Sequence, residues 1–533
     1  MFNTTGKIFA DPLTRDFVPC SRVIAFEAAS GIECLPGCTV LRTFPANDFP
    51  GCRIEKGGFI LIDFGKELSG GIRIVTSGEM TFSRIRIRFG ESCSEAMNDP
   101  NQDHALHDTE LTLPRYSSID FGNTGFRFVR IDVLDEPLEV HNIIAIFERR
   151  KYPVIGTFRS SDELLNEIYD TCVHTIQLNM QDYIYDGVKR DRLVWGGDLN
   201  PEAMVILRVF GDVPVLRDTL ELLRTHTPKD SFINDFSSYS LWYFITLHDH
   251  WFHSGDDSLL KANQEYLEKE THRFIAMVNP DGSEQLPPTR FLDWPSNDSP
   301  DIIHAGLQGL LLMGLRALNE MLAALHSTIS IPDNVFQRLK THVPDPVNSK
   351  AAASLQILSG LADRTDVMEK DPFKNVSTYF GYYMLLAKQN QAALDLVRNY
   401  WGAMLKLGAT SFWEDFSLDW VPGATSIDEL PVSGRPDIHK DFGAYCYKGL
   451  RHSLCHGWSA GPAAWCSQKI LGIEPLQPGF KEISFRPDLC DLEFVKGTVP
   501  TPYGSIAVSL EKGHAPEIQI PKGISLKKGK YLE

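Results

Sequence analysis

Apolar residues change their spacing twice along this chain, and no other feature restricts its architecture as tightly. From about Ala25 to Arg149 they alternate in short runs, FILIDFG (59–65), GIRIVTS (71–77), RIRIRFG (84–90) and FRFVRIDV (126–133), broken by Gly, Pro, Asn and Asp. A period of two with turn residues between the runs predicts strands, and their spacing predicts an antiparallel β-sandwich over 1–157. From Ser160 the period becomes helical. SSDELLNEIYDTCVHTI places Leu164, Leu165, Ile168, Tyr169, Cys172, Val173 and Ile176 on one face, with Ser160 and Glu163 in capping-box positions. Further helical segments run through roughly 201–226, 238–253, 257–278, 302–326, 334–342, 350–361, 375–389, 391–405 and 458–470. About ten helices joined by polar, often long loops suit a closed ring of helical hairpins over 158–472, with function carried on the loops. After LGIEPLQPGF the period returns to two in KEISFRP, GTVPTPYGSIAVSLEK and EIQIP, which predicts a small C-terminal β-domain over 473–533. The 533 residues, 43% hydrophobic and 11% aromatic, suffice to fill cores of this size.

Between the first two helices lies Tyr185–Asn200, YDGVKRDRLVWGGDLN, which has no apolar period. Asp186, Lys189, Arg190, Asp191, Arg192 and Asp198 are costly to bury unless paired, and Gly187, Gly196 and Gly197 allow tight turns or close approach to a ligand. A solvated, salt-bridged loop is the plain alternative. Trp195 and the glycine pair favour the floor of an active site, since a surface loop has no need of them. Three more loops pair aromatics with acids: INDFSSYSLWYF with Asp235, Trp242 and Tyr243; TRFLDWPSND with Asp293 and Trp294; and GATSFWEDF with Trp413, Glu414 and Asp415. A pyranose stacks its C–H face on an aromatic ring while its hydroxyls bond to carboxylates and Arg, so the four clusters together suggest a carbohydrate cleft.

The formal net charge of −17 argues against nucleic acid or an anionic membrane as partner. No apolar run of membrane-spanning length occurs, GLQGLLLMGLRALNEMLAALH being interrupted by Arg316, Asn319 and Glu320. The stretch MFNTTGKIFADPLTRD lacks the order of a signal peptide, so a cytoplasmic location is expected. The ten cysteines form no CxxC pair and read as reduced, buried thiols. His248, His250 and His253 in HDHWFH are not spaced as a helical metal pair, no metal or organic cofactor is expected, and the basic KGKYLE reads as a tail.

The string DGVKRDRLVWGGD resembles the signature segment of the α-L-rhamnosidases of glycoside hydrolase family 78; GATSFWE and SLCHGWSAGPAAW are similar to two further segments of that family. The resemblance runs from LIDFGKELSGGIRI to VPTPYGSIAV, most of the chain. It implies an all-α (α/α)6 six-hairpin barrel flanked by β-sandwich domains, and an inverting hydrolase that removes terminal α-L-rhamnose from glycans or glycosides. By this resemblance Asp191 is the general acid and Glu414 the general base. Asp186, Arg190 and Asp198 bind sugar hydroxyls or orient the acid, Trp195, Trp242 and Trp294 wall a deoxysugar methyl, with Asp293 and Trp413 beside them, and His456 matches a substrate-binding histidine or else is a core or cap residue. Two departures are visible: Gly187-Val188 replaces Cys-Pro, and Asp191 is one methylene shorter than the usual Glu. Asp198 and Asp415 therefore stay open as the working acid or base. A hydrolase or phosphorylase for another sugar, and an inactive carbohydrate-binding protein, also stay open, as do linkage, aglycone, oligomeric state and any bound calcium.

Overall fold

The computed structural model of the protein describes residues 13–43, 51–78, 82–99, 108–445 and 447–527. Most of the N-terminal stretch, Cys446 and the KGKYLE tail lie outside these residues. The alternating runs form one hydrogen-bonded layer of seven strands: β1 (Thr14–Val18), β2 (Arg22–Ser30), β3 (Cys52–Thr76), β4 (Phe82–Gly90), β5 (Asp108–Pro114), β6 (Ser118–Val133) and β7 (Leu138–Arg149). The order is β1-β7-β3-β6-β4-β5, with β2 also on β3. Its pairs are antiparallel except β3 with β7, which run parallel. The 25-residue β3 passes between both neighbours because Gly70 and Gly71 carry no side chain: a Cβ there would sit 2.1 Å from the Ile146 carbonyl oxygen and 2.3 Å from that of Phe121. A short helix, α1 (Cys93–Met97), follows β4.

Strand β8 (Thr157–Ser160) leads into six helical hairpins. In chain order these are α2 (Glu163–Asn179) with α3 (Leu199–Val209); α4 (Pro214–His226) with α5 (Ser237–Ser254); α6 (Ser258–Ala262) and α7 (Gln264–Ile275) with α8 (Pro300–Ala324); α9 (Asp333–Thr341) with α10 (Lys350–Leu358); α11 (Thr365–Glu369) with α12 (Thr378–Ala387); and α13 (Asn390–Leu396) and α14 (Gly402–Lys406) with α15 (Gly461–Trp465). The second helices close a ring: α3 packs on α5, α5 on α8, α8 on α10, α10 on α12, α12 on α15, and α15 returns to α3. Residue chemistry explains which helices line the ring. α4 buries only Val215, Leu216, Thr219, Leu220 and Leu223, a single stripe suited to an outer position. α12, TYFGYYMLLA, is buried nearly all round and fits only an inner one.

Two local expectations change. The helix expected over 201–226 is broken by Gly211 at φ +80°, giving α3 and α4. The cap of α2 is Asp162, whose carboxylate accepts from the Leu165 N–H at 3.2 Å, while Ser160 ends β8. The C-terminal strands β9 (Ile473–Pro475), β10 (Glu482–Phe485), β11 (Phe494–Val499), β12 (Ile506–Glu511), β13 (Glu517–Gln519) and β14 (Ser525–Leu526) form two sheets, ordered β14-β10-β9 and β13-β12-β11-β8. The strand that enters the barrel is thus an edge of the C-terminal layer. Among the described residues the nine cysteines are free, six of them buried, and no helix is long and apolar enough to cross a membrane.

Candidate active site

Hairpin topology gathers the polar loops. Each loop that runs from an outer to the following inner helix must emerge at the same end of the ring. These loops are 180–198, 227–236, 276–299, 342–349, 370–377 and 407–460. The signature segment lies in the first, Asp293 and Trp294 in the third, and Trp413, Glu414, Asp415 and His456 in the last. The signature loop is pressed flat by its glycines: a Cβ on Gly197 would lie 2.5 Å from the Tyr239 ring and 2.6 Å from the Tyr379 hydroxyl. Asn234, which the sequence did not single out, pins it by accepting from the Gly196 N–H at 2.9 Å and donating to the Val194 carbonyl at 3.0 Å. The loop also meets the last one at an isolated bridge between Gly187 and His456, with Gly457 N–H donating to the Asp186 carbonyl at 2.9 Å.

Arg190 is the hub. Its guanidinium donates to Asp191 Oδ2 at 2.5 Å, to Glu414 Oε2 at 2.5 Å and to the Arg451 carbonyl at 2.7 Å, and it lies 4.9 Å from the centroid of the Tyr447 ring. Two 2.5 Å bonds across one planar fork hold the two carboxylate oxygens within about 7 Å of each other. The two acids differ in setting. The Asp191 side chain is 42% exposed and that of Glu414 2%. Glu414 also accepts from the Ser453 N–H at 3.2 Å, and burial raises its pKa against the pull of His456 and Arg190. Asp191 and Arg192 hold φ of +57° and +52°, and the Arg192 N–H donates back to the Arg190 carbonyl at 2.7 Å, so the acid rides the tip of a strained three-residue turn.

Behind this pair lie further buried acids. Asp186 accepts from the Gly187 and Leu193 N–H groups at 2.8 and 3.0 Å, and burial, with Asp198 nearby, pushes it up to about 8. Asp198 stands just before α3, receives the Tyr239 hydroxyl at 3.4 Å, and is pushed by burial to about 7. His456 sits between Asp198, 3.3 Å from Nε2, and Glu414, 3.7 Å from Nδ1; burial lowers it to about 4, so its ring is neutral near pH 7. Glu202, absent from the sequence reading, is buried with Oε1 unpartnered, and its pKa is raised well above the carboxylate range. Its helical setting in α3 reads as core from sequence, and only the fold brings it under Gly457.

A cavity of about 620 Å³ lies at the same loop end of the ring, lined among others by Asp293, Asp415, Ser377, Lys350, Trp420 and Tyr445. Burial pushes Asp293 to about 7 and Asp415 to about 6. The cavity connects to Arg190 through aromatic rings: Trp294 stacks near Tyr445 at 6.5 Å and meets Tyr447 edge-on at 5.7 Å. Trp195 meets Tyr239 edge-on at 6.1 Å. Trp413 is buried against Phe416. Trp242 stands apart from this group: it is 1% exposed on the inner helix α5 and stacks on Tyr383 at 4.6 Å, filling the ring interior rather than walling the cavity. The HDHWFH histidines diverge, His248 to Glu320, His250 to Asp212 and His253 to the Asp249 carbonyl.

Comparison with known proteins agrees with this architecture. Residues 153–306 match the bacterial α-L-rhamnosidase six-hairpin glycosidase domain, and residues 472–525 match the bacterial α-L-rhamnosidase C-terminal domain. An α-L-rhamnosidase of Alteromonas sp. (strain LOR) is 23% identical over 87% of this chain and 55% of its own length. A family 78 rhamnosidase of Bacillus sp. GL1 superposes with a TM-score of 0.72 at 21% identity, over 93% of this chain and 55% of the other. A Klebsiella oxytoca rhamnosidase with rhamnose bound superposes with a TM-score of 0.69 at 22% identity, over 86% and 96%. The chain spans about half the length of the curated relative it matches. Residues 153–306 and 472–525 are thus similar to two domains of bacterial α-L-rhamnosidases, and the solved neighbours share the six-hairpin ring and flanking β-layers of this chain.

Proposed function

We propose that the protein is an inverting α-L-rhamnosidase that removes terminal α-L-rhamnose from glycans or glycosides. The observation that carries this reading is the pair of carboxylates bridged by Arg190 at the loop end of a six-hairpin ring. Inversion needs two carboxyls on opposite faces of the sugar ring, separated enough to admit water. Glu414, buried and made more basic by that burial, suits the base that activates water. Asp191, on the exposed tip of its turn, suits the acid that meets the leaving oxygen, and Arg190 releases it as substrate enters. Asp186, Asp198 and His456 supply hydrogen bonds to sugar hydroxyls, and Trp195 and Trp294 shape an apolar wall for the C6 methyl. A second assignment is favoured by one feature: Asp415, not Glu414, lines the cavity, which makes it the rival base.

The test is release of p-nitrophenol from a panel of p-nitrophenyl glycosides by wild type, Asp191→Asn, Glu414→Gln and Asp415→Asn. Turnover of the α-L-rhamnoside that collapses in the first two variants and persists in the third supports the assignment. Collapse in Asp415→Asn with survival in Glu414→Gln moves the base, activity on another glycoside replaces the substrate, and a wild type that binds rhamnose without turnover makes it a binding protein.

A further inference from the structure

One residue of the signature loop has no part in the chemistry described so far. Lys189 immediately precedes Arg190, and its side chain turns away from the sugar site into the N-terminal β-layer. Its ammonium lies 3.0 Å from Glu91 Oε2 and 3.1 Å from Glu95 Oε1, and donates to the carbonyls of Leu450 and His452 at 2.9 and 2.7 Å. Glu91 and Glu95 follow β4 and are fully buried. With His439 they offer three ligand atoms within 4.8 Å of one another, a grouping that would suit a cation, and the lysine supplies one from within the chain. Glu91 does more: it also accepts from the Leu454 N–H at 2.6 Å and the Ser453 hydroxyl at 3.3 Å, and Ser453 is the residue whose N–H meets Glu414. The same β-layer grips the loop on both sides of Lys189. Val188 is buried in the core of that layer and accepts from Gly125 N–H at 2.7 Å, while Arg192 donates to the Asn123 carbonyl at 2.7 Å. The strained turn at Asp191 is therefore clamped at both ends by residues of β6, of the segment after β4 and of α1.

We propose that Lys189 is a positioning residue, a tethered cation through which the N-terminal β-layer sets Arg190 and Asp191 against Glu414. This rests on the hydrolase reading above. Displacing a reacting group by about 1 Å costs on the order of 100-fold in rate even when binding survives, so the loss should fall on kcat and leave KM nearly unchanged.

The experiment compares the full chain with Lys189→Met and with the charge-neutral set Glu91→Gln, Glu95→Gln, Lys189→Met. Each is assayed for kcat and KM on p-nitrophenyl α-L-rhamnoside, or on whichever glycoside the wild type turns over, with melting temperature measured alongside. Lys189→Met strands two buried acids and is expected to melt lower. The neutral set removes that stranding and is expected to regain much of the melting temperature while kcat stays about 100-fold down and KM within about threefold. A folded neutral set, or a folded Lys189→Met, with kcat within about threefold of wild type overturns the proposal. Recovery of kcat in step with melting temperature would reduce Lys189 to a stabilising residue and equally overturn it. A wild type inactive on every glycoside overturns the hydrolase reading instead, and with it the role assigned to this lysine.

Discussion

Lys189 and Arg190 are adjacent, and each bridges two carboxylates, yet the two clusters are built differently. Lys189 is saturated: two acids and two carbonyls surround an ammonium that keeps its charge despite burial because Glu91 and Glu95 favour it. Arg190 is poised: one of its acids, Glu414, is buried, and the other, Asp191, is 42% exposed on a strained turn. A saturated cluster resists any rearrangement, whereas an open one has a partner to exchange for substrate. On the proposed reading, holding and reacting are divided between neighbouring residues.

The comparison breaks most directly at Arg190. Arg190→Lys keeps a cation but loses the fork that reaches both acids, and kcat on the rhamnoside should fall by about 100-fold; steady-state kinetics check this, and a loss below about threefold would mean the bridge is incidental. Next in size is the contrast between tryptophans. Trp242→Ala opens a void in the ring interior and should cost about 3–5 kcal/mol of stability, read by denaturant unfolding. Trp294→Ala should leave unfolding nearly unchanged and raise KM by about tenfold, the cost of losing one stacked ring.

The smallest expected effect concerns the buried acids behind Arg190. A carboxyl whose folded pKa is raised binds its proton in the folded state when the unfolded chain has already released it, so stability falls as pH rises from the unfolded value near 4 to the folded value. For Asp186 that value is about 8. Asp186→Asn retains the oxygen that accepts from Gly187 and Leu193 but cannot ionise. Its melting temperature should match wild type near pH 4.5 and exceed it by a few degrees, about 1–3 °C, near pH 8.5; equal melting at both values would show that Asp186 is not protonated in the fold.

Much of this molecule was legible before its structure. The two changes of period located the strand and helix regions, because a half-buried sheet and a packed helix impose spacings of two and 3.6 that no surface loop imitates. The loop 185–200 announced itself by carrying charge and glycine where an apolar pattern should have continued. The ring, too, followed from helix count and loop length. What could not be read was pairing across distance. Glu91 and Lys189 lie 98 positions apart, Arg190 and Glu414 a further chain segment apart, and nothing local distinguishes an acid that faces an ammonium from one that faces water. Trp242 illustrates the converse, since beside Tyr243 and Asp235 it resembles a sugar platform, but its place on an inner helix sends it into the core. Gly211 sits in an otherwise periodic run, where one glycine costs only about 1 kcal/mol, too little to reveal the break.

The most direct test of the account is the configuration of the first sugar released from an α-L-rhamnoside, followed by proton NMR before the anomers equilibrate. Two carboxylates acting from opposite faces through water predict β-L-rhamnose as the initial product. Initial appearance of the α-anomer would require a covalent intermediate and would contradict the division of roles between Asp191 and Glu414.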